Sequence, residues 1–357
     1  MSRRTVIVTG SAGLIGSQVS QDLCAKGYRV LGIDNDLRSY FFGASASTRL
    51  RALELSEAFP DSYEDFDVDM REVARVTEVF ECAGEIAGVI HTAAQPSHDW
   101  AAREPITDFE VNAMATVNLL ELTRRFNPEA PFVFMSTNKV YGDTPNKLPL
   151  EEAGQRWDLP RSHPMYEGID ESMTIDHSLH SVFGASKVAA DVMVQEYGRY
   201  FSLPTACFRG GTLTGPGHAS AQLHGFMAYL VSCAIRKVPY TIFGYGGKQV
   251  RDVIHSRDVS SALIGFLENP GCGAVFNIGG GRANSCSVLE AIQLVERYTG
   301  EDLEWSISEK NRIGDHEWWI SSNRSLEDAI PEWSVTQSLR SIIEEIAVAT
   351  HESLRDA

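Results

Sequence analysis

Three glycines and one aspartate open the chemistry of this chain. Gly10-Ser11-Ala12-Gly13-Leu14-Ile15-Gly16 follows directly on the β-branched run Thr5-Val6-Ile7-Val8-Thr9. A glycine at the first position permits a tight turn. The second lets backbone approach a pyrophosphate, and the third lets a helix pack closely on its strand. The helix beginning there offers free N–H groups and its positive dipole end to an anion. Ser17 to Lys26 reads as that helix, with Val19, Leu23 and Cys24 on one face, and Arg29 to Ile33 as a second strand ending at Asp34-Asn35. A carboxylate about 20 residues beyond the glycines can accept from both ribose hydroxyls and repel a 2′-phosphate. The ligand chemistry is that of a dinucleotide, with NAD favoured over NADP. Arg38, which could reach a phosphate, weighs the other way. A glycine turn without a ligand is the plain alternative; the order strand, turn, helix, strand, acid argues against it.

The elements that must hold these residues alternate. Thr48 to Phe59 reads as helix, Tyr63 to Val68 as strand, and Arg71 to Cys82 as helix. Ile86 to His91 reads as strand, Ile106 to Phe126 as one long helix containing Asn112, and Pro131 to Met135 as strand. Such alternation predicts an α/β fold, a Rossmann-like doubly wound parallel sheet. Ligands of such sheets lie beyond the carboxyl ends of the strands. Asp34, Asp69-Met70, His91-Thr92-Ala93-Ala94-Gln95 and Ser136-Thr137 fall at those ends. Asp69 and Met70 suit an adenine, one by charge and one by apolar contact. Gly142 to Pro164 reads as a long excursion over the site. Ser178 to Phe201 reads as a helix carrying Lys187, and Leu203 to Arg209 as a strand. Ser334 to Ala349 reads as a terminal amphipathic helix, with Ser334 and Gln337 at capping-box spacing.

Composition excludes several classes of function. The chain has 357 residues, 43% hydrophobic and 22% charged, which suits an ordinary globular protein with a large core and a second lobe. No apolar run approaches the roughly 18 residues of a membrane span. Met1-Ser2-Arg3-Arg4 has the charge of a signal segment, but a strand and a glycine turn follow, so a cytoplasmic protein is expected. A net charge of −17 disfavours nucleic acid and anionic membranes as partners. The six cysteines form no C-x-x-C pair and read as reduced thiols, with no metal site.

Further motifs then carry a resemblance. Asn112, Ser136-Thr137-x-x-Val140-Tyr141-Gly142, Lys187, Arg209, Gly215-Pro216 and Arg251-Asp252 follow the glycine turn in order. Together they resemble the extended short-chain dehydrogenase/reductase family, the nucleotide-sugar epimerases and dehydratases. The likeness spans nearly the whole chain. Gln95-Pro-Ser97-His-Asp-Trp100, Ser136 to Asp143, Phe208 to Gly211, Leu223 to Phe226, Gly247 to Arg251 and Asn311 to His316 most resemble the CDP-tyvelose (CDP-paratose) 2-epimerase branch.

The resemblance implies NAD bound by Gly10, Gly13, Leu14, Ile15, Gly16, Asp34, Asn35, Arg38, Asp69, Met70, Thr92, Ala93, Ala94, Gln95, Asn112, Ser136 and Lys187. It implies a nucleotide sugar, linked to CDP, UDP, GDP or dTDP, near Gln95, Ser97, Thr137, Asn138, Lys139, Arg209, Thr212, His224, Phe243, Gln249, Arg251, Asp315 and His316. Thr137 would hydrogen-bond the reacting sugar oxygen, and Arg251 would grip the diphosphate. The family tyrosine, however, is Phe183 here, in Phe183-Gly-Ala-Ser-Lys187. Lys187 remains, and the phenol that would move the proton is gone. Where related dehydratases carry an acidic pair stand Asn138 and Lys139, and Thr212 lies where many relatives have asparagine.

An epimerase would then need a relocated acid/base. Tyr166 is the first choice, with His163, Lys139, Asp170 and His180 behind it. A dehydration, a single-carbon oxidation or a redox-inactive binding protein are the alternatives. Residues 1–211, with an excursion at 142–178, would form the NAD domain. Residues 212–357 would form mainly the smaller substrate lobe, with about 250–270 returning to the sheet. The helices at 104–126 and 180–201 would pair with a second copy as a homodimer, although apolar faces there suit packing within one chain equally. Trp318-Trp319 reads as a base-pocket wall or as core.

Overall fold

Seven short strands build the frame that positions the glycine turn. The computed structural model describes residues 4–218, 225–308 and 314–355. The strands are β1 (Thr5–Thr9), β2 (Arg29–Ile33), β3 (Tyr63–Phe66), β4 (Ile86–His91), β5 (Phe132–Thr137), β6 (Thr205–Gly210) and β7 (Ala274–Ile278). Their order in the sheet is β7-β6-β5-β4-β1-β2-β3. The pairings of β1 with β2 and β4, of β2 with β3 and of β4 with β5 are parallel. A parallel sheet is covered on both faces, so its strands run apolar throughout. β1 is accordingly buried at every residue. The chain leaves β1 in one direction through β2 and β3, then returns to its other side at β4. That reversal opens a crevice at the carboxyl ends of β1 and β4, where such sheets take ligands.

The chain divides into two compact units. The first comprises Met1–Val140, Ser181–Arg209 and Val259–Phe276; the second comprises Tyr141–His180, Gly210–Asp258 and Asn277–Ala357. The excursion after β5 therefore clusters with the second unit, and a later segment returns to the first. In the first unit Ile7, Leu31, Val89, Phe132 and Phe134 meet Leu119 and Val194 of the covering helices in one core.

In the second unit, Val250–His255 pairs in parallel with Thr212–Thr214 and Trp318–Trp319 and antiparallel with Ser285–Ser287. Helices Phe226–Arg236, Val288–Thr299 and Leu339–Arg355 supply Leu230, Ile292 and Ile343 to its core. Trp318 and Trp319 are wholly buried, which decides for core between their two readings.

Two helices differ from expectation. The long helix over 106–126 is interrupted. Pro105–Phe109 passes through a π-helical turn at Glu110–Met114 into Ala115–Phe126. The turn holds Asn112, whose side chain is recruited by three neighbours. Such single π turns recur at functional sites. The terminal helix starts at Leu339, not near Ser334. Asp258 accepts from the backbone N–H groups of Thr336 and Gln337 and from the Thr336 hydroxyl, which holds that stretch out of the helix. Ser338 Oγ accepts from Ser341 N at 3.2 Å and serves as the cap. A complete capping box lies elsewhere, between Ser287 and Glu290.

Candidate active site

At the crevice, Gly10 takes a left-handed φ of +65°, and a Cβ there would stand 2.7 Å from Ala93 N. Thr92 donates both N–H and Oγ1 to Thr9 O, at 3.1 and 2.7 Å, closing β4 onto β1. A Cβ on Gly16 would lie 2.0 Å from Gly10 O. Only glycine lets helix α1 (Leu14–Ala25) approach the turn so closely. Gly13 is the N-cap of α1 and gives no side-chain cap, so the first N–H groups face the crevice without one. Ile15 and Gly16 are buried, while Leu14 is half-buried.

Asp34 follows at the end of β2. Its carboxylate accepts from Ala12 N at 3.1 Å and Asp36 N at 2.8 Å, and burial pushes its pKa up. A shallow surface recess beside it is lined by Ala12, Asp34, Asp36, Thr48, Arg49, Ala52 and Asp65. Three carboxylates and one guanidinium leave the recess net negative, a charge that suits hydroxyl donors and opposes a 2′-phosphate. Arg38 lies 4.9 Å over the Phe42 ring. Asn35 accepts from Leu37 N, Asp69 pairs with Arg71, and Met70 is core. His91 is fully buried between Thr9 Oγ1 (2.6 Å) and Thr116 Oγ1 (3.0 Å), and burial pushes its pKa down to about 3. It is a neutral strut joining β1, β4 and a helix.

The second cluster forms at the end of β5. Lys187 is buried on helix α4 (Ser181–Phe201) and donates to Met135 O at 3.0 Å, with its Nζ 4.1 Å over the Phe134 ring. Burial lowers its pKa to about 8, against the opposing charge of Asp191. Phe183 lies one helical turn earlier on the same face. Thr137, two residues past Met135, is half-buried and accepts from Lys139 N at 3.2 Å. Asn138 is buried. Ser136 donates to Asp191 at 2.6 Å, and Asp191 is also held by the Arg209 guanidinium at 2.7 and 3.1 Å. Arg209 and Ser136 thus share one buried carboxylate.

The loop after β4 is fixed from below. Gln95 N donates to Asn112 Oδ1 at 2.9 Å, and Gln95 Nε2 donates to Asp108 Oδ1 and Ser97 O. Asn112 Nδ2 reaches Gln95 O, Asp108 and Ser186 Oγ. Ser97 caps a short helix by accepting from Trp100 N. The result places His98 against Phe183, with ring centroids 4.9 Å apart and edge to face. Sequence reading includes His98 only inside a motif, because a contact across 85 residues leaves no local signal.

The remaining candidates belong to the second unit. The Tyr166 ring lies 3.7 Å from the Arg282 guanidinium, which also binds Asp158 through two nitrogens. His163 accepts from Met165 N, Asp170 accepts from Ser172, and His180 Nε2 meets Ile175 O; each serves a local turn. Arg251 bonds Asp315 at 2.6 Å, and Gln249 donates to Phe243 O. His316 is buried, reaches Gly142 O and stacks on Trp319. Thr212 pairs in register with Val253. His224 lies outside the described residues. Among the described residues no acid, histidine or cysteine cluster could hold a metal, and no helix is long and apolar enough to cross a membrane.

The model of the NAD dependent epimerase/dehydratase family matches residues 6–279. This chain belongs to that family. CDP-paratose 2-epimerase of Salmonella typhi is 30% identical over 342 residues, covering 92% of this chain and 94% of that one. UDP-glucuronate 4-epimerase of Thermodesulfobacterium geofontis is 28% identical over 337 residues, covering 94% and 93%. The fold is shared with UDP-glucuronic acid 4-epimerase from Bacillus cereus, solved with UDP-glucuronic acid and NAD. That likeness has a TM-score of 0.79 at 22% identity and covers 98% of this chain and 99% of the other. The cofactor of the family is NAD. The glycine cradle, the uncapped α1 terminus and the carboxylates beside Asp34 fit it.

Proposed function

We propose that this chain is an NAD-dependent nucleotide-sugar epimerase that works through a transient keto-sugar, with an acid/base other than a tyrosine at position 183. The cluster at the end of β5 carries the reading. Lys187 and Thr137 are retained although the tyrosine is Phe183, with Lys187 bonded to Met135 O two residues before Thr137, and Asn138 and Lys139 stand where elimination would need carboxylic acids. When bound, NAD takes a hydride from a sugar carbon and returns it to the opposite face. Asp34 would hold a ribose, Lys187 would hold the nicotinamide ribose, and Thr137 would donate to the reacting oxygen. Arg251 is assigned to the diphosphate, exchanging Asp315 for it. Likeness to the Salmonella typhi CDP-paratose 2-epimerase supports a CDP-linked sugar and inversion at C2.

A homodimer belongs to the same reading. Ile106 (75% exposed), Phe109 and Met114 before one helix, and Val182 and Tyr200 (80% exposed) on α4, leave apolar surface on the two helices. Exposed apolar surface of this kind suits association with a second copy.

A panel of CDP-, UDP-, GDP- and dTDP-sugars tests the function. Epimer formation from a CDP-sugar, with transient NADH absorbance, is expected. A product that has lost water would replace epimerase with dehydratase. Binding without turnover across the panel would replace both with a redox-inactive binding protein.

A further inference from the structure

We propose that His98 is the acid/base of this site, taking the place of the missing phenol; the proposal rests on the epimerase reading above. Lys187 reaches Met135 O, so the first turns of α4 lie at the carboxyl end of β5, with Thr137 two residues on. Phe183 occupies the same face of α4 one turn earlier, and the His98 ring meets it at 4.9 Å. An imidazole therefore packs against the ring that stands where a proton-transfer group is missing.

The placement of His98 is specified from two sides. Its Nδ1 is 2.9 Å from Ser181 Oγ, which also accepts from Gly184 N at 3.2 Å in the first turn of α4. Ser181 holds a left-handed φ of +60°, a conformation that costs a non-glycine residue free energy and persists where surrounding contacts impose it. On the other side, the buried Gln95–Asn112–Ser186 bonds tie the loop carrying His98 to α4 three residues past Phe183. Two anchors on one helix, before and after Phe183, hold the imidazole over it. The hydrogen bond on one ring nitrogen sets which nitrogen carries the proton, and with Nδ1–H donating to Ser181 Oγ the basic nitrogen is Nε2. Proton transfer is assigned to Nε2.

In the forward step the hydroxyl proton passes to Nε2 and the O–H electron pair forms the C=O bond. The carbon's hydride would pass to bound NAD, the oxidant the family's cofactor supplies, so that the alcohol would be oxidised as the cofactor is reduced. The return step reverses each transfer on the other face of the carbon, and the imidazolium gives its proton back.

The test compares full-length wild type, His98→Gln, His98→Ala and the pair His98→Gln with Phe183→Tyr. His98→Gln should lower kcat by about 10²- to 10⁴-fold, the usual worth of a positioned acid/base, with NAD content and KM within about threefold. Added imidazole should restore part of the His98→Ala loss, and the phenol of the double variant should raise turnover above His98→Gln alone. Activity within threefold of wild type in both single variants would overturn the proposal and leave the epimerase reading standing. Loss without imidazole rescue would overturn it too, since that is the mark of a packing role. If wild type turns over no sugar nucleotide, the epimerase reading fails and this proposal falls with it.

Discussion

Lys187 carries a buried charge 4.1 Å over the Phe134 ring, one helical turn after Phe183. Its pKa falls from 10.5 to about 8, chiefly through burial. Between those values the unfolded chain binds more protons than the folded one, so stability rises with pH across that window. Protein without added NAD should become more resistant to urea from about pH 8 to pH 10, and Lys187→Met should lack that component. A parallel trend in the two proteins would show that Lys187 is not the titrating group. Asp34 was legible in the sequence because its strand and turn are local. Phe183 was legible as an absence, since Lys187 fixed the spacing. His98 was not legible. Its meaning depends on Ser181 and Phe183, which only the fold brings to it.

Among the elements, the turn into α1 is the most constrained. A methyl on Gly16 would meet Gly10 O at 2.0 Å and Ser11 Cα at 2.9 Å, both backbone. Overpacking of this kind costs about 1–3 kcal/mol. Gly16→Ala should lower the melting temperature and weaken NAD binding at least tenfold by calorimetry; unchanged binding would mean the cradle is not the pyrophosphate site. The capping box at Ser287 and Glu290 allows a milder test. Ser287→Ala removes one half of it and should cost about 1 kcal/mol in denaturant melts. Periodicity found the α1 helix and the strands, because their patterns are short and local. It ran the helix over 106–126 straight through its π turn, since that turn answers to Asn112 bonding Gln95, Asp108 and Ser186 across the fold. It also started the terminal helix early, because Asp258 lies some distance away in sequence and takes the N–H groups of Thr336 and Gln337.

On the scale of the whole molecule, sequence reading expects an excursion over 142–178 and a return near 250–270; the segments 141–180 and 259–276 do cluster away from their chain neighbours, and the excursion goes with the second unit, where sequence reading has it in the NAD domain. The exposed Ile106 and Tyr200 argue for a second copy. Light scattering should give the mass of two chains, and Ile106→Asp with Tyr200→Asp should give one chain that still binds NAD. A wild-type mass of one chain would remove the dimer. The central claim, that the site inverts a sugar carbon by lending a hydride to NAD and taking it back, is tested most directly by a CDP-sugar deuterated at C2. In ordinary water the expected result is an epimer that keeps its deuterium at C2. Deuterium lost to solvent would mean that the carbon is deprotonated, and would contradict the account.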